Sequence, residues 1–181
     1  MFFKILVFSL CFIKFPINKP ELVIGKERVD PGIVFIFEGA IKDQIVPKSL
    51  HLDEKQTNVH IEARVNWDIK DIPRGTPVGG FIPYLNITAI VTNESSGLKT
   101  FVDLKPHINL IDNFHYARNI SLPGSIKDLY SVQFNIFPPT KVDLALHRDW
   151  LNEFGEEFIS NHIFNYNSIN FKEIAEASRN Q

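Results

Sequence analysis

Among the residue types of this sequence, histidine offers the most candidates for metal binding. The chain holds six histidines, and a neutral imidazole is a common ligand of divalent copper, zinc and iron. Its one cysteine, Cys11, and its one methionine, Met1, lie close to the N-terminus. If that segment is removed, disulfides, thiolate metal sites and cysteine nucleophiles are all excluded, and a metal site must use histidine, carboxylate or backbone oxygen.

The spacing of one histidine and one glutamate is informative. His60 and Glu62 lie in residues 58–67, where apolar and polar residues alternate. Because side chains two apart on a β-strand point the same way, both are expected on one face of the strand. The alternative is that this face, which also carries Arg64, is a solvated polar surface.

Three further histidines come from other parts of the chain. His107 and His115 flank a segment that contains Asp112, and His147 follows a Pro-Pro pair. Imidazoles from several strands and loops suit a site at one face or one end of a β-sandwich. Taken singly, each histidine is more typical of a surface or hydrogen-bonded residue than of a ligand. No H-E-x-x-H, C-x-x-C, phosphate-binding or G-x-S-x-G motif occurs, so those classes of site are not indicated.

The sequence pattern predicts that these residues are positioned by short strands separated by turns. Strands are predicted over 33–40, 58–67, 82–92, 98–104, 129–137 and 162–169, with an irregular segment over 108–118 and a short helix over 171–178. Since no βαβ alternation occurs, the pattern predicts an all-β fold, an immunoglobulin-like antiparallel β-sandwich in a single domain.

Composition and charge narrow the function. The chain has 181 residues, a net charge of −2 and a pI of about 6.3, which suits one domain and argues against a nucleic-acid partner.

Lys4 and the apolar run from Ile5 to Ile13 are typical of a secretory signal rather than a membrane span. We therefore expect a signal segment over 1–19 and a metal-binding domain over 20–181, in an exported protein that could also be membrane-associated through its N-terminus. A buried first strand is the alternative for the apolar run.

Several motifs in collinear order resemble the bacterial periplasmic high-affinity iron-transport protein family. The family shows H-x-E-A, W/F-x-P-Y-L, L-M-P-M, D-G-P-H-Y-G-A-N and a late histidine after a proline-containing loop. The matching segments here are His60-Ile61-Glu62-Ala63, Gly80-Phe81-Ile82-Pro83-Tyr84-Leu85, Leu104-Lys105-Pro106-His107, Asp112 to Ile120, Pro138-Pro139 and His147-Arg148-Asp149. The resemblance runs from about residue 21 to about residue 171.

The resemblance implies a periplasmic, homodimeric immunoglobulin-like sandwich that works in iron uptake with an inner-membrane permease as partner. It also implies a copper site of histidines and one methionine, with a glutamate nearby. Carried over, the metal-binding residues are His60, Glu62, His115 and His147, and Asp112 is a candidate for a second, harder cation. The expected methionine falls at His107, which would make the site richer in nitrogen and favour Cu(II).

The sequence therefore predicts a non-enzymatic, exported metal-binding protein of high-affinity iron uptake. Copper as Cu(II), iron or both are the expected ions, with zinc as another candidate, and binding is expected to weaken below about pH 6 as imidazoles protonate. Two alternatives stay open. One is a divergent β-sandwich interaction module that has lost the metal site, and the other is a copper or zinc redox enzyme.

Overall fold

The computed structural model describes residues 21–179. The predicted signal segment, 1–19, lies outside these residues. The described chain is mostly β-strand, with a 3-10 turn at Glu54–Gln56 and two short helices. The strands are β1 Leu22–Val29, β2 Ile33–Ala40, β3 Val59–Trp67, β4 Asn86–Asn93, β5 Lys99–Asn109, β6 Asn113–Ile120, β7 Tyr130–Phe137 and β8 His162–Ile169; the helices are α1 Arg148–Phe154 and α2 Lys172–Glu176.

The eight strands form one hydrogen-bonded series, all antiparallel, in the order β1-β2-β3-β6-β5-β4-β7-β8. The series folds over at β5, whose first half pairs with β4 and whose second half pairs with β6. Because one strand belongs to both layers, β1-β2-β3-β6 faces β4-β7-β8 across the interior. At the outer edges, Tyr166 of β8 donates a hydrogen bond to Glu27 of β1 over 2.8 Å.

The core lies between the two layers and is rich in aromatic rings. Phe37 of β2 stacks on Phe134 of β7 with ring centroids 4.0 Å apart, and both side chains are fully buried. Along β3, alternate residues starting at Val59 and ending at Trp67 point inward. The all-β antiparallel sandwich predicted from the sequence is thus confirmed.

Three local expectations differ from the structure. The segment 108–118, expected to be irregular, instead holds the end of β5 and most of β6. Strand β1 and helix α1 were not expected. The strand expected to start at residue 82 starts at Asn86, and Tyr116 holds the backbone before it by donating to Ile82 O and accepting from Leu85 N. Within residues 21–179, no helix is both long enough and apolar enough to cross a bilayer.

Candidate metal centre

The candidate site lies on the outer face of the first layer, away from the aromatic core. On β3 the outward residues are His60, Glu62 and Arg64. Strand β6 lies beside β3, with Asn119 directly opposite His60. Strand β5 follows, with His107 directly opposite His115. Antiparallel pairing therefore brings residues that are far apart in the sequence to within one patch.

This polar face is buried because the loop between β2 and β3 covers it. Residues 43–47 and His51 of the loop line a cleft of about 390 Å³ together with His60, His107 and His115. His60 is 2% exposed, Glu62 4% and His115 1%. The solvated surface considered as an alternative for this face is therefore wrong.

One asparagine holds both the loop and a histidine. The Nδ2 group of Asn119 donates to Asp43 O over 2.8 Å and to Leu52 O over 3.0 Å. Its Oδ1 atom is then the group that faces His60 Nδ1, at 2.7 Å. Since an amide oxygen only accepts, the His60 proton lies on Nδ1, and Nε2 keeps its lone pair. A backbone or side-chain acceptor on the second ring nitrogen is the usual arrangement for a metal-binding histidine.

His115 is oriented in the same way. Its Nδ1 atom lies 3.1 Å from Asn113 O. A carbonyl oxygen only accepts, so this contact places the proton on Nδ1 and leaves Nε2 with its lone pair. Two imidazoles on neighbouring strands are therefore fixed in the tautomer that can bind a cation.

His107 differs because both of its ring nitrogens are buried without a hydrogen-bond partner in the described chain. Its ring centroid lies 5.3 Å from that of His60 and 5.9 Å from that of His115. One ligand atom from each of the three histidines lies within 4.8 Å of the others. Because buried polar atoms are nearly always paired, an unpaired imidazole beside two oriented ones fits a site for a metal ion.

Burial keeps the apoprotein imidazoles neutral. Desolvation lowers the pKa of His60 to about 4 and that of His107 to about 3, where the neighbouring imidazoles add to the effect. Desolvation also lowers the pKa of His115. A neutral imidazole is the form that binds metals, so these three side chains are ready to do so at neutral pH.

Glu62 is the carboxyl group next to the histidines. Its Oε1 atom lies 3.6 Å from His60 Nε2. Burial raises the pKa of Glu62 to about 8, and the carboxylates of Asp112 and Glu38 add to the rise. With Glu62 protonated and His60 neutral at pH 7, their contact is not an ion pair. A cation bound by the imidazoles would favour the carboxylate form of Glu62.

A sequence model of the Fe2+ transport protein family matches residues 18–172. This chain belongs to that family. The match covers most of the sequence, and it confirms the resemblance drawn from the motifs around His60, His107, His115 and His147.

Among individual relatives, the 34 kDa membrane antigen of Treponema pallidum (strain Nichols) is 29% identical over 135 residues. The aligned region is 71% of this chain and 63% of the antigen. The chain therefore spans less than two thirds of the length of that antigen.

Two solved structures show the same fold. A copper-bound variant of P19 from Campylobacter jejuni superposes with a TM-score of 0.70 at 24% identity, over 82% of this chain and 96% of that one. A copper-bound variant of FetP from uropathogenic Escherichia coli strain F11 gives a TM-score of 0.66 at 23% identity, over 82% and 95%. At this identity the likeness establishes the sandwich fold of this member of the Fe2+ transport family.

Four of the predicted site residues lie together: His60, Glu62, His107 and His115. His147 does not join them within this chain. It is exposed at the start of α1, three residues before Trp150, whose ring lies 6.5 Å from that of Trp67. Trp67 ends β3 seven residues after His60, about 23 Å away at the usual rise of a strand. Within the described chain His147 therefore lies outside the cluster, and its role as a metal ligand stays a prediction.

Asp112 lies at the acidic edge of the cluster and is already paired. Its Oδ2 atom accepts from Asn109 Nδ2 over 2.8 Å, and its Oδ1 atom lies 3.7 Å from Arg64 Nη1. Arg64 also donates to Glu38 over 2.5 Å. A guanidinium thus occupies the position between the carboxylates, and Asp112 as the ligand of a second cation stays a prediction.

Sequence reasoning overlooked two residues of the site. Asn119 lies four residues after His115, and the two-residue period of a strand places both on one face. The sequence would have placed Asn119 beside His115 if the segment had been predicted as a strand. His51 was one of the six histidines, but it lies in a loop with no alternating pattern. Only the folded chain shows that its ring is 5.0 Å from that of His107.

Proposed function

We propose that this chain is an exported metal-binding protein of iron uptake, and that it binds copper through His60, His107 and His115 with Glu62 beside them. The observation that carries the proposal is the histidine cluster itself. Three imidazoles from three adjacent strands offer ligand atoms within 4.8 Å of one another, in a covered cleft. Two of them have their second ring nitrogen hydrogen-bonded to an oxygen.

The donor set favours a borderline divalent ion. Imidazole nitrogens with one carboxylate suit Cu(II), Zn(II) and Fe(II), whereas a thioether would favour Cu(I). Copper is the first candidate because the similar P19 and FetP structures are described as copper-bound. When bound, copper would supply a positive charge next to Glu62 and draw it into its ionised form.

The remaining parts of the proposal concern the cell. We place the protein in the periplasm as a homodimer that passes iron toward an inner-membrane permease, and we assign it no catalytic activity. The description of its family as Fe2+ transport proteins supports iron as the transported ion. The signal-like N-terminal sequence supports export.

A titration of the purified protein with Cu(II), Zn(II) and Fe(II), against a competing chelator, tests the binding. We expect one tight Cu(II) site per chain, and a loss of at least about 100-fold in affinity for His60→Ala, which removes a ligand. The matched control is His162→Ala. His162 lies on β8 in the other layer, where its Nε2 atom is 3.3 Å from Ser160 Oγ, and its replacement should leave the affinity unchanged.

Iron uptake needs a test in cells. A strain that lacks the protein should accumulate radioactive iron more slowly under iron limitation, and the wild-type gene and the His162→Ala variant should both restore uptake. The His60→Ala variant should not. Equal uptake by cells carrying wild-type and His60→Ala protein would contradict the role of the cluster in iron transport, even if copper binding were confirmed.

A further inference from the structure

The loop that covers the cleft carries a fourth histidine to the cluster. His51 lies between β2 and β3, and its ring meets that of His107 edge to face, with centroids 5.0 Å apart and an interplanar angle of 76°. It lines the same cleft as His60, His107 and His115. His51 is also less buried than His60 and His115, so it lies on the outer side of the group.

The buried nitrogen atoms of His51 and His107 indicate a ligand shared by the two rings. The Nδ1 atom of His51 is buried, and over residues 21–179 no hydrogen-bond partner contacts it. Both nitrogens of His107 are in the same condition. An unpaired buried polar atom destabilises a fold, so two such rings in contact are not expected unless a ligand uses their lone pairs.

The loop that carries His51 is held in place by Asn119, a residue of the site. Asn119 Nδ2 donates to Leu52 O, next to His51, over 3.0 Å, and to Asp43 O earlier in the loop. Arg179 adds an ion pair to Asp43 Oδ2 at 3.0 Å. The same amide that fixes the tautomer of His60 therefore anchors the backbone that presents His51.

We propose that His51 is a fourth metal-binding imidazole of this site. Three histidines would come from the rigid strands and one from the covering loop. This inference rests on the proposed function and extends it, because it makes the donor set four nitrogens with Glu62 at the edge. Four imidazoles around one ion suit the tetragonal geometry that Cu(II) prefers, and the loop would then close over the ion that it helps to bind.

The test uses Cu(II) as the probe and the full mature chain. His51→Ala and His51→Gln are compared with wild type by chelator competition and by pulsed electron paramagnetic resonance, which counts coupled imidazoles. We expect both variants to bind Cu(II) at least about tenfold more weakly, since even the loss of a residue that only orients a ligand lowers affinity about 10–100-fold. We also expect four coupled imidazoles in wild type and three in each variant.

The control variant and the possible outcomes distinguish a failure of this inference from a failure of the proposed function. His162→Ala should match wild type in affinity and in imidazole count. Three coupled imidazoles in wild type, or an unchanged affinity in both His51 variants, would overturn the role of His51 while leaving copper binding intact. Absence of Cu(II) binding by wild type, or full affinity in His60→Ala, would instead overturn the proposed function. The wild-type imidazole count decides the matter even if a variant folds poorly.

Discussion

The two faces of strand β3 are both buried, but by opposite means. Val59, Ile61 and Ala63 point into the core and are fully buried among apolar side chains. His60 and Glu62 point the other way and are nearly as buried, yet they meet a loop, an amide and other polar groups. Burial of polar groups is unfavourable unless they are paired. The outer face therefore retains an energetic cost that a bound ion could offset, whereas the inner face only stabilises the fold.

The largest effect should come from the inner face. Ile61→Ala removes three heavy atoms from a fully buried position, and this should lower the free energy of unfolding of the apoprotein by about 2–5 kcal/mol. Urea denaturation measures the loss. Ile163→Ala, at a position on β8 that is 63% exposed, is the matched control and should change stability by less than about 0.5 kcal/mol. Similar losses in the two variants would mean that β3 does not form the centre of the core.

A smaller but double effect is expected at Asn119. Asn119→Ala removes the acceptor of His60 Nδ1 and the donor to two loop carbonyls, so Cu(II) affinity should fall about 10–100-fold and stability by about 1–3 kcal/mol. Asn119→Asp keeps the acceptor and loses the donor, so it should retain more affinity than the alanine variant. The control is Asn135→Ala in the other layer, where the amide bonds Thr88. Wild-type affinity in Asn119→Ala would refute the orienting role.

The pH dependence of Cu(II) binding should report Glu62 rather than the histidines. Burial lowers the pKa of His60 to about 4 and that of His107 to about 3, so protons should compete for these imidazoles only below about pH 5. This revises the loss expected near pH 6 from the sequence. Glu62, with a pKa raised to about 8, must release its proton when a cation binds. Affinity should therefore rise by up to about tenfold per pH unit until the pH reaches 8.

The Glu62→Gln variant separates these causes. Its Cu(II) affinity should be nearly constant between pH 5 and 8, at about the level of wild type at low pH. The two apoproteins should also differ in how their stability depends on pH. Because folding raises the pKa of the Glu62 carboxyl from its ordinary value of 4.5 to about 8, the folded wild-type protein loses stability as the pH rises between these values. Wild type should therefore become less stable than Glu62→Gln over that range. Parallel pH profiles for the two proteins would show that Glu62 does not ionise on binding.

The smallest effect is expected for His107→Met, which exchanges one ligand for another without emptying the site. A thioether stabilises Cu(I) relative to Cu(II), so the ratio of the two affinities should shift toward Cu(I) by a few-fold. Parallel titrations under oxidising and reducing conditions measure that ratio. The wild-type ratio in this variant would indicate that His107 does not bind the ion.

Sequence patterns predicted the inner face of β3 better than the outer one. Strict alternation over 58–67 identified the strand and placed His60 with Glu62, because apolar residues must share one face to form a core. Strand β6 was missed since its outward residues, such as His115 and Asn119, are polar but buried, and its pattern resembles that of an irregular segment. His51 could not be placed because loop backbone has no period that links sequence to space.

The order of the strands has a consequence for how the protein opens. The three strands that carry His60, His107 and His115 stand in the middle of the hydrogen-bonded series, while β1 and β8 are its edges. Edges and loops exchange their amide hydrogens through local opening, whereas central strands exchange close to the limit set by global unfolding. Fraying of either edge should leave the cluster assembled, and only the loop with His51 should open and close on a shorter timescale. The three strand histidines would then keep their geometry for as long as the domain stays folded, and the rate of ion release would follow the loop.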